Sequence, residues 1–167
     1  MKHSADERHD MLERYANGAR LLREVWDRVP DEARHWRPAP GKWSAHEVIC
    51  HCADSEMNAA ARIRYLLCEK EPVILGYDQD CWSRVLDYEH HPVEPAFAVV
   101  DAVRANTTAM LAHLEGSIWE RQGRHTDSGV FSAEDWLRIY AGHLEVHIRQ
   151  IERNLEQWQL AASSSCT

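Results

Sequence analysis

Ser132-Ala133-Glu134-Asp135-Trp136-Leu137-Arg138-Ile139-Tyr140-Ala141-Gly142-His143-Leu144-Glu145-Val146-His147-Ile148-Arg149-Gln150-Ile151-Glu152-Arg153-Asn154-Leu155-Glu156-Gln157-Trp158 reads as one long amphipathic helix. Trp136, Tyr140, Ile151, Leu155 and Trp158 recur at helical spacing, and His143 and His147 stand in the same stripe. The acidic first turn suits the positive end of the helix dipole. Two imidazoles at i and i+4 lie about 6 Å apart on one face, the spacing at which both can reach one metal ion. Neutral imidazoles inside a bundle need polar partners, and protonating them there is costly; a bound cation resolves both problems.

Three more long helices precede this one. The first begins at the capping box Ser4-Ala5-Asp6-Glu7, carries Met11, Leu12, Tyr15, Ala19, Leu22, Val25, Trp26 and Val29 inward, and stops at Pro30. A second capping box, Ser44-Ala45-His46-Glu47, opens a helix through Val48, Cys52, Ser55, Ala59, Ile63 and Leu66 to about Lys70, with Pro72 just beyond. Residues 71–93 form a long link with one short helix expected near 79–88, and a link of that length suggests a functional segment or a crossover. The third long helix starts near Pro95 and runs to about Leu114. Residues 116–131, with Gly116, Gly123 and Gly129, carry no clear pattern, and no segment alternates with period two long enough for a strand. The expected fold is all-α: a single four-helix bundle over residues 1–160 with a long crossover connection, followed by a flexible Ser-rich tail at 161–167.

Composition narrows the partners. The 167 residues are 44% hydrophobic and 28% charged, and the net charge of −8 argues against general nucleic-acid binding. No apolar run approaches a membrane span, and Met1-Lys2-His3-Ser4-Ala5-Asp6-Glu7 is charged where a signal peptide would be apolar. A cytoplasmic protein with a small-molecule substrate is expected. The five cysteines, Cys50, Cys52, Cys68, Cys81 and Cys166, include no Cys-x-x-Cys pair, and reduced thiols are expected. Cys50 and Cys52 flank His51, but residues two apart on a helix diverge by roughly 200° and cannot all face one ion.

His51, one residue off the inner stripe of the second helix, is the third candidate metal ligand. Asp54, at i+3, is either its hydrogen-bonding partner or a solvated helix residue. Glu145 lies two residues from His143 and points away, so it is not the base of a zincin motif. Three histidines without a protein carboxylate leave coordination positions for water or substrate, the layout of a catalytic site. Arg62, Tyr77 and Trp82 are pocket candidates, each with the alternative of a surface charge or packed aromatic. His3, His9, His90, His91, His113 and His125 are expected to face solvent; His35 and His46 lie where they could edge the site. The seven tryptophans, among them Trp26, Trp36, Trp43 and Trp119, are read as core and linker anchors.

Gly41-Lys42-Trp43-Ser44, His51-Cys52-Ala53-Asp54-Ser55-Glu56-Met57-Asn58-Ala59, Tyr77-Asp78-Gln79-Asp80-Cys81-Trp82, His91-Pro92-Val93-Glu94-Pro95 and Tyr140-Ala141-Gly142-His143-Leu144-Glu145-Val146-His147 together resemble the DinB/YfiT-like superfamily. The resemblance spans roughly residues 36 to 152 and favours the YfiT branch of metal-dependent hydrolases. It implies a DinB-type bundle, often a homodimer, with a nickel- or zinc-like divalent ion at positions matching His51, His143 and His147. It also implies a choice of reactions, since relatives include bacillithiol- or mycothiol-dependent S-transferases and thiol-dependent maleylpyruvate isomerases. YfiT-like chains tend to have histidine where Glu56 stands, and a histidine-rich stretch at 146–150, so the groups beside the matching metal positions differ here. Three readings follow: a transferase acting on a low-molecular-weight thiol co-substrate, a metal-dependent hydrolase, and a non-catalytic metal-binding stress-response protein.

Overall fold

The computed structural model describes residues 3–164. Helix α1 (Ala5–Asp27) is capped by Ser4, whose hydroxyl accepts from the Glu7 amide while the Glu7 carboxylate accepts from the Ser4 amide. After Pro30 the chain makes one extra turn, α2 (Asp31–Arg34). Helix α3 (Ala45–Cys68) repeats the reciprocal cap with Ser44 and Glu47. Next come strand β1 (Val73–Ile74), helix α4 (Gln79–Val85) capped by Asp78, and helix α5 (Val93–Leu111). A 3-10 turn (Gly116–Glu120) and strands β2 (Gln122–His125) and β3 (Gly129–Ser132) lead into α6 (Ala133–Ser164). Ser132 and Asp135 exchange capping bonds at its start. Of the tail expected to be flexible, 161–164 are helical and 165–167 lie outside the described residues.

The four long helices pack in a ring: α1 touches α5 and α6, and α3 touches the same two. Consecutive helices α1 and α3, and likewise α5 and α6, therefore face each other across a diagonal. The expected crossover is present twice, and neither falls in link 71–93, which joins the neighbours α3 and α5. Among the described residues no helix is long and apolar enough to cross a membrane.

The expectation of no strands is corrected. β1 pairs parallel with β2, and β2 pairs antiparallel with β3, with Gln122 opposite Ser132 and His125 opposite Gly129. These strands escape a periodicity reading because they are two to four residues long and bury only Ile74 and Phe131. A Cβ at Gly123 would collide with the Pro72 carbonyl, so glycine permits the close approach of that loop.

Two apolar clusters fill the bundle. One gathers Leu22, Val25, Trp26, Val48, Ile49, Phe97, Val100, Leu144 and Ile151. The other gathers Tyr15, Ile63, Leu66, Leu111, Trp119, Trp136 and Leu137. Between them every long helix contributes something else: Gly18, Glu56, Arg104 with Thr107, and His143. Arg104 and Glu56 are 1% and 0% exposed and pair at 2.7 Å. Tyr15 donates to Glu56 at 3.1 Å, and Arg104 donates to the carbonyls of Tyr15 and Tyr140. Gly18 is bare because a Cβ there would strike the Arg104 guanidinium. A buried ion pair interrupts the core at its waist.

Candidate metal centre

The histidines stand at that waist. His51 comes from the first half of α3, and His143 and His147 from successive turns of α6. Their ring centroids are 5.7 Å (His51–His143), 4.7 Å (His51–His147) and 4.7 Å (His143–His147) apart. One nitrogen from each lies within 4.8 Å of the others. Tetrahedral coordination at ~2.1 Å would set such nitrogens ~3.4 Å apart, a contraction within reach of side-chain rotation. Trp43 covers His51, rings 4.7 Å apart, and its carbonyl accepts from Asn154, tying this loop to α6.

The donor chemistry fits a cation. Both ring nitrogens of His51 and Nδ1 of His143 are buried with no hydrogen-bond partner, an arrangement that costs free energy unless something else satisfies them. Burial drives the His51 pKa down to about 3, aided by the neighbouring His147. Burial first, then the other two imidazoles, pushes His143 well below its usual range, and burial lowers His147 as well. All three are neutral at pH 7, the form in which an imidazole can bind a metal. The His147 Nδ1 lies 3.0 Å from the Gln150 side-chain oxygen; Nδ1–H donates there, which leaves Nε2 unprotonated.

A pH dependence follows for the metal-free chain. His51 is ordinary, near 6.5, when unfolded and about 3 when folded, so between those values the unfolded chain binds more protons. The stability it contributes is complete above pH 6.5 and drains away on acidification. Between pH 7 and pH 5 the loss from His51 alone is about 2 kcal/mol. Urea titrations with chelator at the two pH values should show the midpoint fall, and His51→Leu should shrink the difference, leaving the part due to His143 and His147; a parent midpoint unmoved by pH would contradict it.

The other candidates divide. Asp54 does not approach His51: it accepts the Tyr88 hydroxyl beside a cavity of ≈ 380 Å³ lined by Cys50, Met57, Leu86 and Val99. Glu145 is held on the surface by Arg14 at 2.9 and 2.8 Å, as its direction on the helix required. His35 and His46 stack at 4.3 Å, and His46 Nε2 bonds the His91 carbonyl, so this pair packs toward Trp26 and does not edge the site. His3 and His125, expected in solvent, are half-buried. Arg62, Tyr77 and Trp82 do assemble: the Tyr77 and Trp82 rings meet at a tilt, centroids 4.5 Å apart, and Arg62 lies 5.6 Å above the Tyr77 ring. Cys50 and Cys52 are buried thiols with raised pKa values, Cys50 to about 12.

Several site residues were not singled out from the sequence. Ser55 Oγ is 3.4 Å from His143 Nε2, and Glu56 Oε1 is 3.9 Å from His143 Nδ1. Ser55 sits one turn beyond His51 and Gln150 one turn beyond His147, a signal in helical spacing. Arg104 shares the helical spacing of the buried Val100, Thr107 and Leu111, so its inward direction was legible although its partner Glu56 was not.

Comparison with known proteins agrees with this architecture. The description "DinB superfamily" matches residues 14–151. "Putative metal-dependent hydrolase OB0782" of Oceanobacillus iheyensis is 34% identical over 79% of this chain and 76% of its own length. "Putative metal-dependent hydrolase YfiT" of Bacillus subtilis is 30% identical over 66% of this chain and 63% of its own. A solved structure of the Bacillus subtilis YfiT, described as "a probable metal-dependent hydrolase with an unusual four-helix bundle topology", superposes with a TM-score of 0.87 at 23% identity, covering 95% of this chain and 91% of that one. That likeness carries the fold, while the sequence matches carry the kinship: the chain belongs to the DinB superfamily, with YfiT-like relatives.

Proposed function

We propose that the chain is a metal-dependent transferase joining a low-molecular-weight thiol to an electrophile, with a divalent transition ion on His51, His143 and His147. The observation that carries this reading is three converging imidazoles, with orphaned buried nitrogens, beside which no carboxylate among the described residues is free. Glu56 is committed to Arg104 and Tyr15, Asp54 to Tyr88, and Glu145 to Arg14. Attack by water would call for a general base here, whereas a thiol of pKa near 8.5 ionises with little help. When bound, the ion would favour the thiolate over the thiol.

The chain's own residues do the rest. Trp43 shields His51 from solvent. Burial raises the phenol pKa values of Tyr77 and Tyr140, so both stay protonated as hydrogen-bond donors for charge developing on the electrophile. In the reaction the thiol proton passes to solvent, sulfur bonds the electrophilic carbon, and the leaving group departs with its electron pair.

The test is consumption of several small thiols with monochlorobimane by zinc- and nickel-loaded protein. A rate lost on chelation supports the reading; equal rates with and without chelator dismiss it. A second reading, hydrolysis, is favoured by the names of the relatives. It predicts thiol-independent cleavage of a p-nitrophenyl ester that disappears in His143→Ala.

A further inference from the structure

A ring of side chains closes around one flank of the histidines. His143 Nε2 meets Ser55 Oγ at 3.4 Å, and the Ser55 side chain lies beside Tyr77. The Tyr77 ring lies under the Arg62 guanidinium at 5.6 Å, and Arg62 Nη1 donates to the Tyr140 hydroxyl at 2.9 Å. The Tyr140 ring returns to His143, centroids 5.6 Å apart. Each of these five groups carries a donor at neutral pH, and Arg62 carries a full positive charge.

Arg62 differs from the arginines that hold the bundle together. Arg14, Arg37 and Arg104 each grip a carboxylate at 2.8 Å or less. Arg62 has no acidic partner among the described residues; its anchors are the Tyr140 hydroxyl, the Leu75 carbonyl and the Tyr77 ring. These fix the plane of the guanidinium but use only two of its five N–H donors. A half-buried, immobilised cation without a counter-ion is a vacancy for an anion.

We propose that Arg62 is a substrate-positioning residue that receives a carboxylate, so the molecule processed at the histidines is a small carboxylic acid anion. This deepens the function proposed above and rests on the same group of side chains, though not on a metal being bound. A planar carboxylate matches the remaining donors of one guanidinium, with the Tyr140 proton as a third. A phosphate dianion asks for more, and no second cation belongs to this ring. Lysine cannot substitute for Arg62, since it offers a point charge in place of a fork.

The test follows the Arg62 Nε–H resonance by NMR in the full chain, zinc-loaded and chelator-treated, during titration with succinate at fixed ionic strength. Succinate is expected to shift that resonance saturably in both forms, and calorimetry to show binding at least tenfold weaker in Arg62→Gln and Arg62→Lys. The chelator-treated chain should lose its metal-dependent rate and keep succinate binding, so failure of the metal reading and failure of this one are told apart. A resonance unmoved by succinate overturns the proposal, whatever the variants' folding. So does equal binding by a folded Arg62→Gln, or inorganic phosphate binding as tightly as succinate.

Discussion

His143→Ala is expected to end stoichiometric retention of the divalent ion and to lower the metal-dependent rate by at least about a hundredfold. Two imidazoles remain, and the lost one is the ring that meets both Ser55 and the tyrosine-lined flank. Ligand sets this small tolerate loss poorly, since even a hydrogen-bonding partner of a ligand is worth 10–100-fold in affinity. The metal-free variant should nevertheless stay folded. Nδ1 of His143 is already buried without a partner, so removing it relieves a desolvation penalty that offsets part of the lost packing. Elemental analysis after reloading, with chelator-treated thermal melts alongside, separates the two effects. A variant that keeps one tightly held ion per chain would show that the three rings do not share it.

Arg104→Ala should be the most destabilising single change at the waist of the bundle, by about 3–5 kcal/mol. It strands the carboxylate of Glu56, which is 0% exposed, and removes the donor to the carbonyls of Tyr15 and Tyr140. Glu56→Ala should cost a similar amount from the other side. The paired replacement Glu56→Leu with Arg104→Met should recover most of that loss, because most of the penalty comes from an uncompensated charge. The pair also stands behind the candidate metal centre, with Glu56 Oε1 3.9 Å from His143 Nδ1. The double variant should therefore fold well yet bind metal more weakly than the parent. Urea denaturation and metal titration read the two consequences; an Arg104→Ala chain within 1 kcal/mol of the parent would be inconsistent with this account.

What could be read ahead of the fold was local chemistry. The capping boxes at Ser4 and Ser44 and the acidic turn after Ser132 sit where helices begin, because a cap is decided by residues three apart. His143 and His147 share a face for the same reason, and Glu145 leaves it. The weaker inferences crossed between elements. Asp54 was one turn from His51 and looked available to it, but Tyr88, from beyond the link, holds it elsewhere. His46 had the right address on α3 and the wrong direction.

Periodicity and caps thus determined on their own that four long amphipathic helices form and that two histidines project from one of them into the core. Only the tertiary structure decided which helices are neighbours, that both diagonal connections are crossovers, and that His51 closes on the α6 pair. It also placed Glu56, Arg104 and His143 at one level between two apolar clusters, and it built the three-stranded sheet from segments too short to declare themselves. Spacing along a helix is set by covalent geometry and persists in any context. Partnership between helices is chosen by whichever packing satisfies every buried polar group together, and no single segment holds that information.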